Sequence, residues 1–230
     1  MDTMATKTKN EECIMFKKDI INVKSSFSPH PAEDIPAADQ ANLVQNEAGT
    51  ARRSSQKALL RLTVSGVFAA LIFVATFVIK IPTTIGYANM GDGVILFASY
   101  LLGPLAFFPA AIGSALADLL AGYPVYIPAT FVIKGLMGLA AGFIMKRTDV
   151  SLPRKIFAFV IAEGIMVSGY FLFETALYHL VYSLTSIIPN LIQGGVGIAI
   201  AIVLCTLLAR MRTSVRTKLQ DSSEDIRSNK

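Results

Sequence analysis

Five ionisable side chains stand inside or beside apolar stretches of this chain: Asp92, Asp118, Lys134, Glu163 and Glu174. A charge at the centre of a bilayer costs about 2.5–3.5 kcal/mol on insertion scales, so such groups face a protein interior and mark a pathway, a binding site or a bracing pair. Near them stand the amides Asn89, Asn190 and Gln193 and the phenols Tyr87, Tyr123, Tyr126, Tyr170 and Tyr178. Carboxylate, ammonium and amide groups satisfy the polar edges of a bound molecule, and phenol rings stack on a flat one. This is the chemistry of binding. For covalent chemistry the sequence offers no His-Glu-x-x-His zinc signature, no Gly-x-Ser-x-Gly elbow and no Gly-x-x-x-x-Gly-Lys-Ser/Thr phosphate loop. His30 and His179 are too few for a metal set, and Cys13 and Cys205 lie in unlike surroundings, so no disulfide framework arises. The expectation is a protein that is not an enzyme and uses no cofactor, with any ATP hydrolysis on another chain.

The elements that must position these groups are membrane helices. With 53% hydrophobic and 16% charged residues and a mean hydropathy of +0.54, the chain is too apolar for an ordinary soluble domain. Apolar runs occupy 62–79, 94–102, 105–120, 131–145, 156–177 and 187–209. The net charge of +5 is concentrated beside these runs, in Arg52, Arg53, Lys57 and Arg61, then Lys146, Arg147, Arg154 and Lys155, then Arg210, Arg212, Arg216 and Lys218. That is a topology signal rather than a nucleic-acid patch. If the first two clusters share the cytoplasmic side, an even number of crossings separates them, so 93–121 holds two spans reversing at Gly103-Pro104. The resulting fold is an all-α integral membrane protein of six transmembrane helices with both termini cytoplasmic. Residues 1–55 read as a disordered cytoplasmic tail, in which 14–23 has the pattern of a surface-lying amphipathic helix; 56–212 is the membrane domain; 213–230 is a polar cytoplasmic tail.

This topology gathers the polar residues at the outer face. Lys134, about four residues into the fourth helix, lies about 6 Å below its mouth. Each group also has a plain structural reading. Asp118 and Lys134 are placed to neutralise each other across neighbouring helices. Asp92 directly precedes an apolar run and suits a helix N-cap. Glu163, Tyr170, Glu174 and Tyr178 follow one another by seven, four and four, which places them on one stripe; Glu163 then braces helices and Glu174 points inward near the outer end. Asn190, Gln193, Gly194 and Gly197 share another face, where the amides bond either a ligand or a neighbouring helix. Ser65 with Ala69, Gly66 with Ala70, Gly113 with Ala117, and Gly138 with Gly142 recur at the four-residue spacing that permits close packing in lipid.

One ordered set of motifs goes further. Gly91-Asp92, Leu101-Leu102-Gly103-Pro104, Gly113-Ser114-Ala115-Leu116-Ala117-Asp118-Leu119-Leu120, Gly122-Tyr123-Pro124 and Thr130-Phe131-Val132-Ile133-Lys134-Gly135-Leu136-Met137-Gly138 resemble the substrate-binding S component of energy-coupling factor (ECF) vitamin transporters. The likeness is to the riboflavin, hydroxymethylpyrimidine and pyridoxine branch, over 59–212. It implies a subunit of an ECF-type ABC importer in the bacterial cell membrane that captures an extracellular heteroaromatic vitamin or precursor. The implied partners are a transmembrane scaffold protein and two cytoplasmic ATPases. By position, Ser65, Gly66, Ala69 and Ala70 would meet the scaffold and 80–92 would act as a lid. The ligand would meet Tyr87, Asn89, Tyr123, Tyr126, Lys134, Tyr170, Glu174, Asn190 and Gln193, with Asp92, Asp118, Gly103 and Pro104 structural. The absence of Trp leaves ring stacking to the tyrosines. The alternative is a stand-alone secondary transporter with Asp118, Glu163 or Glu174 as proton or cation relay, although no repeat between halves supports it.

Overall fold

The computed structural model describes residues 37–83, 87–145 and 150–228. Its elements are α1 (Ala37–Val78), β1 (Lys80–Pro82), β2 (Tyr87–Asn89), α2 (Gly91–Leu102), α3 (Phe107–Ala121), α4 (Ile127–Ile144), α5 (Leu152–Tyr178) and α6 (Leu180–Ser228). Short 3-10 turns at Gly103–Ala106 and Pro124–Tyr126 precede α3 and α4. Among the described residues the protein is all-α apart from one ribbon, in which β1 and β2 pair antiparallel with Lys80 opposite Asn89 and Pro82 opposite Tyr87. Five stretches among the described residues are long and apolar enough to cross a membrane: Gly49–Val78, Gly91–Ala121, Pro124–Ile144, Leu152–Tyr178 and Leu180–Met211.

The stretch Gly91–Ala121 reverses in the middle, as Gly103-Pro104 suggests. Gly103 has φ +60°, a conformation open to a residue without Cβ, and Pro104 opens the 3-10 turn. Both outer ends of the hairpin meet, because the Tyr87 hydroxyl just ahead of α2 donates to Asp118 near the end of α3. The reversal itself lies at the far end of α4, where a Cβ on Gly142 would come within 2.2 Å of the Gly103 carbonyl oxygen. With 12 and 15 residues, α2 and α3 reach only about 18 and 22 Å, less than a hydrocarbon core of about 30 Å. Irregular backbone at such depth survives where protein covers it, and the close glycine face of α4 provides that cover. The Ser99 hydroxyl ties α2 to the same face through the Gly138 carbonyl at 3.1 Å.

Stripes at three- and four-residue spacing face inward. On α1 these are Phe68, Ile72 and Thr76; on α4, Ile133, Lys134, Met137 and Ala141; on α5, Phe159, Ala162, Glu163 and Met166. Ile72, Ile95, Leu96, Met137 and Phe159 form the centre of the core. The remaining faces carry exposed Leu, Val, Ile and Phe, among them Leu71, Val132, Phe157, Leu172 and Ile192, which is the arrangement lipid requires. Small residues set the helix spacing: a Cβ on Gly113 of α3 would meet the Ala69 carbonyl of α1 at 2.5 Å. Gly66 has nothing within 4 Å of that position.

At the ends the structure differs from the expected tails. Residues 37–55, read as part of a disordered segment, are helical, as is 213–228 of the C-terminal segment. The amphipathic pattern at 14–23, Cys13, His30 and the bases Lys146 and Arg147 lie outside the described residues. Between α5 and α6 only His179 intervenes, with φ +69°, so this residue is a tight reversal rather than a chemical group.

Gly142→Val is expected to lower the stability of the purified protein by about 1–3 kcal/mol or more through overpacking, whereas Gly66→Val leaves it near wild type. Thermal unfolding of both variants in detergent checks the contrast.

Candidate functional site: a tyrosine-lined cavity over a buried ion pair

Where the ribbon meets the adjoining ends of α3, α4, α5 and α6, the bundle opens into a cleft of about 490 Å³ of empty space, counting its mouth. Tyr87 and Asn89 come from β2, Asp118 from α3, Tyr123 and Tyr126 from the turn before α4. Tyr170 and Glu174 come from α5, and Asn190 and Gln193 from α6. Their convergence follows from local geometry. Tyr170 and Glu174 are one helical turn apart, as are Asn190 and Gln193, so each pair projects from one face. The turn at Pro124–Tyr126 carries Tyr123 and Tyr126 past the end of α3.

The tyrosines form a continuous wall. Ring centroids lie 5.2 Å apart for Tyr87 and Tyr123, 6.2 Å for Tyr123 and Tyr126, and 6.4 Å for Tyr126 and Tyr170. These are distances for tilted and edge-to-face contacts. Hydroxyl groups satisfy the acids at the wall. Tyr87 donates to Asp118, Thr130 and Tyr170 share a hydroxyl–hydroxyl bond at 2.9 Å, and Ser186 and Tyr126 both donate to Glu174, the latter at 3.4 Å. Burial, reinforced by the Asp118 charge, pushes the Tyr87 phenol well above its ordinary range, which keeps its proton on and its donor role fixed.

Beneath this wall lies the one ion pair among the described residues, and it is not the expected one. Lys134, with 2% exposure, donates to Asp92, with 0%. The opposite carboxylate oxygen of Asp92 accepts from Gln193 Nε2 at 2.6 Å, and Gln193 Oε1 accepts from the Asn89 amide at 2.8 Å. Asp92 therefore does not cap α2. The N-cap is Met90, with no side-chain bond, and Asn89 Oδ1 accepts from the Gly91 amide at 2.9 Å instead. Lying two positions inside the helix, Asp92 turns into the bundle, where only an ammonium compensates its desolvation. Lys134 is consequently absent from the cavity wall; its Nζ lies 5.5 Å from the Tyr170 ring centroid, one turn deeper than Thr130. Asp118 has the Tyr87 hydroxyl in place of Lys134.

Four wall residues escaped the sequence reading: Thr83, Thr130, Ser186 and Pro189. Thr130 precedes Lys134 by four, and Ser186 precedes Asn190 by four, so extending either stripe by one turn finds them. Nothing in the spacing singles out Thr83. Glu163 lies away from this cavity, 5% exposed, with its carboxylate against Gly194 and Gly197 of α6. Among the described residues neither of its oxygens has a hydrogen-bond partner. The cavity carries no set of three or more metal-ligating side chains among the described residues.

Comparison with known proteins gives matches of three kinds. A family model described as "ECF-type riboflavin transporter, S component" matches residues 57–210. An uncharacterized protein in the gap 3' region of Pyrococcus woesei is 36% identical over 123 residues, which are 53% of this chain and 82% of that protein. Among solved structures, the S component of a bacterial ECF transporter superposes with a TM-score of 0.56 and 24% identity, covering 67% of this chain and 98% of its own. At that identity the last match is a likeness of fold.

Lys134→Ala is expected to cost about 3–5 kcal/mol of stability because it strands a buried carboxylate. Lys134→Met combined with Asp92→Asn removes both charges and recovers a large part of the loss. Denaturant or thermal unfolding of the two single variants and the pair, treated as a double-mutant cycle, measures the coupling.

Proposed function

The chain belongs to the ECF-type riboflavin transporter S component family, a multi-pass membrane protein serving as the substrate-binding subunit of an ECF transporter rather than as an enzyme, and from that premise we propose that the tyrosine-lined cavity is its ligand site. The single observation that carries this reading is the convergence of four tyrosines, three amides and two carboxylates from five separate elements on one cleft. Flat walls of tilted phenols suit a heteroaromatic ring, and the surrounding amides and hydroxyls suit its polar edges. The ligand in this reading is an extracellular vitamin or vitamin precursor. Riboflavin is the first compound to test, since the family description names it.

Tyr87, Asn89, Tyr123, Tyr126, Tyr170, Glu174 and Asn190 are proposed to touch the ligand. Gln193 and Lys134 support them from below, because their polar atoms are engaged with Asn89 and Asp92. Asp92, Gly103 and Pro104 hold the framework, and Asp118 lines the cavity from α3. The proposed partners are a transmembrane scaffold protein and two cytoplasmic ATPases, with six spans and both termini on the cytoplasmic side of a bacterial cell membrane. Residues 56–212 then form the membrane domain between two cytoplasmic segments. On α1, Gly66 and Ala70 are exposed while Ser65 and Ala69 are half-buried. This face is proposed to meet the scaffold through its small residues, and the loaded subunit to reorient on the scaffold while the ATPases reset the cycle.

Mass spectrometry of whatever copurifies identifies the ligand. Titration of the purified protein with it is expected to give affinities about tenfold or more weaker for Tyr126→Ala and Asn190→Ala. Unchanged affinity in both variants overturns the site. Liposomes are expected to accumulate the ligand only when the partner module and ATP accompany this protein, and Gly66→Val, folded on its own, is expected to impair that assembly. Uptake by the protein alone overturns the subunit reading.

A further inference from the structure

Among the described residues, buried acids outnumber buried bases. Asp92, Asp118, Glu163 and Glu174 are each 6% exposed or less, and against these four carboxyl groups stands a single buried ammonium, Lys134. That ammonium is taken by Asp92. Of the remaining acids, Asp118 and Glu174 face the cavity, and their partners there are neutral hydroxyls. No Lys, Arg or His lines the cavity among the described residues. The nearest base at the rim, Lys80, lays its ammonium 4.2 Å from the Phe77 ring centroid and 5.8 Å from that of Tyr87, outside the wall.

A cleft with two carboxylates, no base and four phenol faces has a definite electrostatic preference. Aromatic faces carry the negative part of the ring quadrupole and attract cations within about 6 Å. Carboxylates removed from water gain most from a partner that brings positive charge. An anion would meet two like charges at close quarters, and a neutral ring would leave both acids without compensation.

We infer that the cavity selects a heteroaromatic ligand bearing a positive charge, as a protonated amine or a quaternary ring nitrogen, with Asp118 and Glu174 as its counter-charges and the tyrosine faces around it. This deepens the proposed function and rests on the tyrosine-lined cavity being the ligand site. In this arrangement Asp118 and Glu174 determine specificity: the hydroxyls of Tyr87, Ser186 and Tyr126 fix their orientation and bring no positive charge of their own.

The test uses the full-length protein in detergent at neutral pH and a panel differing in charge on related rings: pyridoxamine and thiamin as cations, pyridoxine and riboflavin as neutral compounds, pyridoxic acid and flavin mononucleotide as anions. Affinities are expected to fall from cation to neutral to anion within the pyridine series, by about tenfold or more at each step. Asp118→Asn and Glu174→Gln are expected to weaken the cation by about 10- to 100-fold and the neutral compound by much less. The ranking on unmodified protein stands even if a variant fails to fold. Riboflavin or another uncharged compound binding tightest, or an anion doing so, overturns the charge inference and leaves the proposed function in place. Equal losses for cation and neutral ligand in both variants overturn it in the same way. Failure of every compound to bind folded protein overturns both.

Discussion

The Lys134–Asp92 ion pair is the interaction on which the arrangement depends. Two full charges stand where the protein excludes water, and each makes the other tolerable. The pair joins the start of α2 to the middle of α4, and Gln193 extends it to α6 and onward to the backbone of the ribbon. One desolvated contact thus fixes the relative positions of four elements, and these elements carry most of the cavity wall. The geometry of the pair is directional and its loss is expensive, so the floor of the site is held more firmly than packing of apolar side chains alone would hold it.

Close backbone approach does for the opposite end of the bundle what the ion pair does near the cavity. Apolar side chains gain little from one another in lipid, so helices there associate through fit. Gly142 against Gly103, Gly138 against Ala106, and Gly113 against Ala69 allow the short hairpin of α2 and α3 to be covered along its length. Without that cover the irregular turn Gly103–Ala106 would present unsatisfied carbonyl groups to hydrocarbon. Polar pairing and glycine contacts are therefore complementary, one ordering the cavity end and the other sealing the reversal.

The sequence disclosed much of this and concealed an instructive remainder. Helix positions follow from blocks of apolar residues, the reversal from Gly103-Pro104, and the gathering of Tyr123, Tyr126, Tyr170, Glu174, Asn190 and Gln193 from parity of basic flanks and turn-by-turn stripes. The partner of Lys134 does not follow, because Asp92 and Asp118 are equally near in a topological sketch and only the rotation of α2 about its axis decides between them. An acid just before an apolar run also looks like a cap, and nothing local distinguishes one that turns outward along the backbone from one that turns into the bundle. Ladder pairing between Lys80–Pro82 and Tyr87–Asn89 is short and of mixed composition, so it leaves no period-two signal. The helical state of 37–55 is equally unmarked, since its polar composition lacks an apolar stripe.

His179 has a consequence for how this protein enters a membrane. Two adjacent apolar helices separated by one residue form a hairpin with almost no loop, and the polar material at its tip amounts to an imidazole and the hydroxyl groups around it. The insertion cost of α5 and α6 is then shared by a single cooperative unit that buries its backbone hydrogen bonds before it leaves the interface. The acids Glu163 and Glu174 travel inside that unit, facing α6 rather than lipid. What looks like a strained turn in the finished fold is, for biogenesis, the feature that lets Glu163 and Glu174 enter the membrane between a pair of helices instead of as two exposed charges.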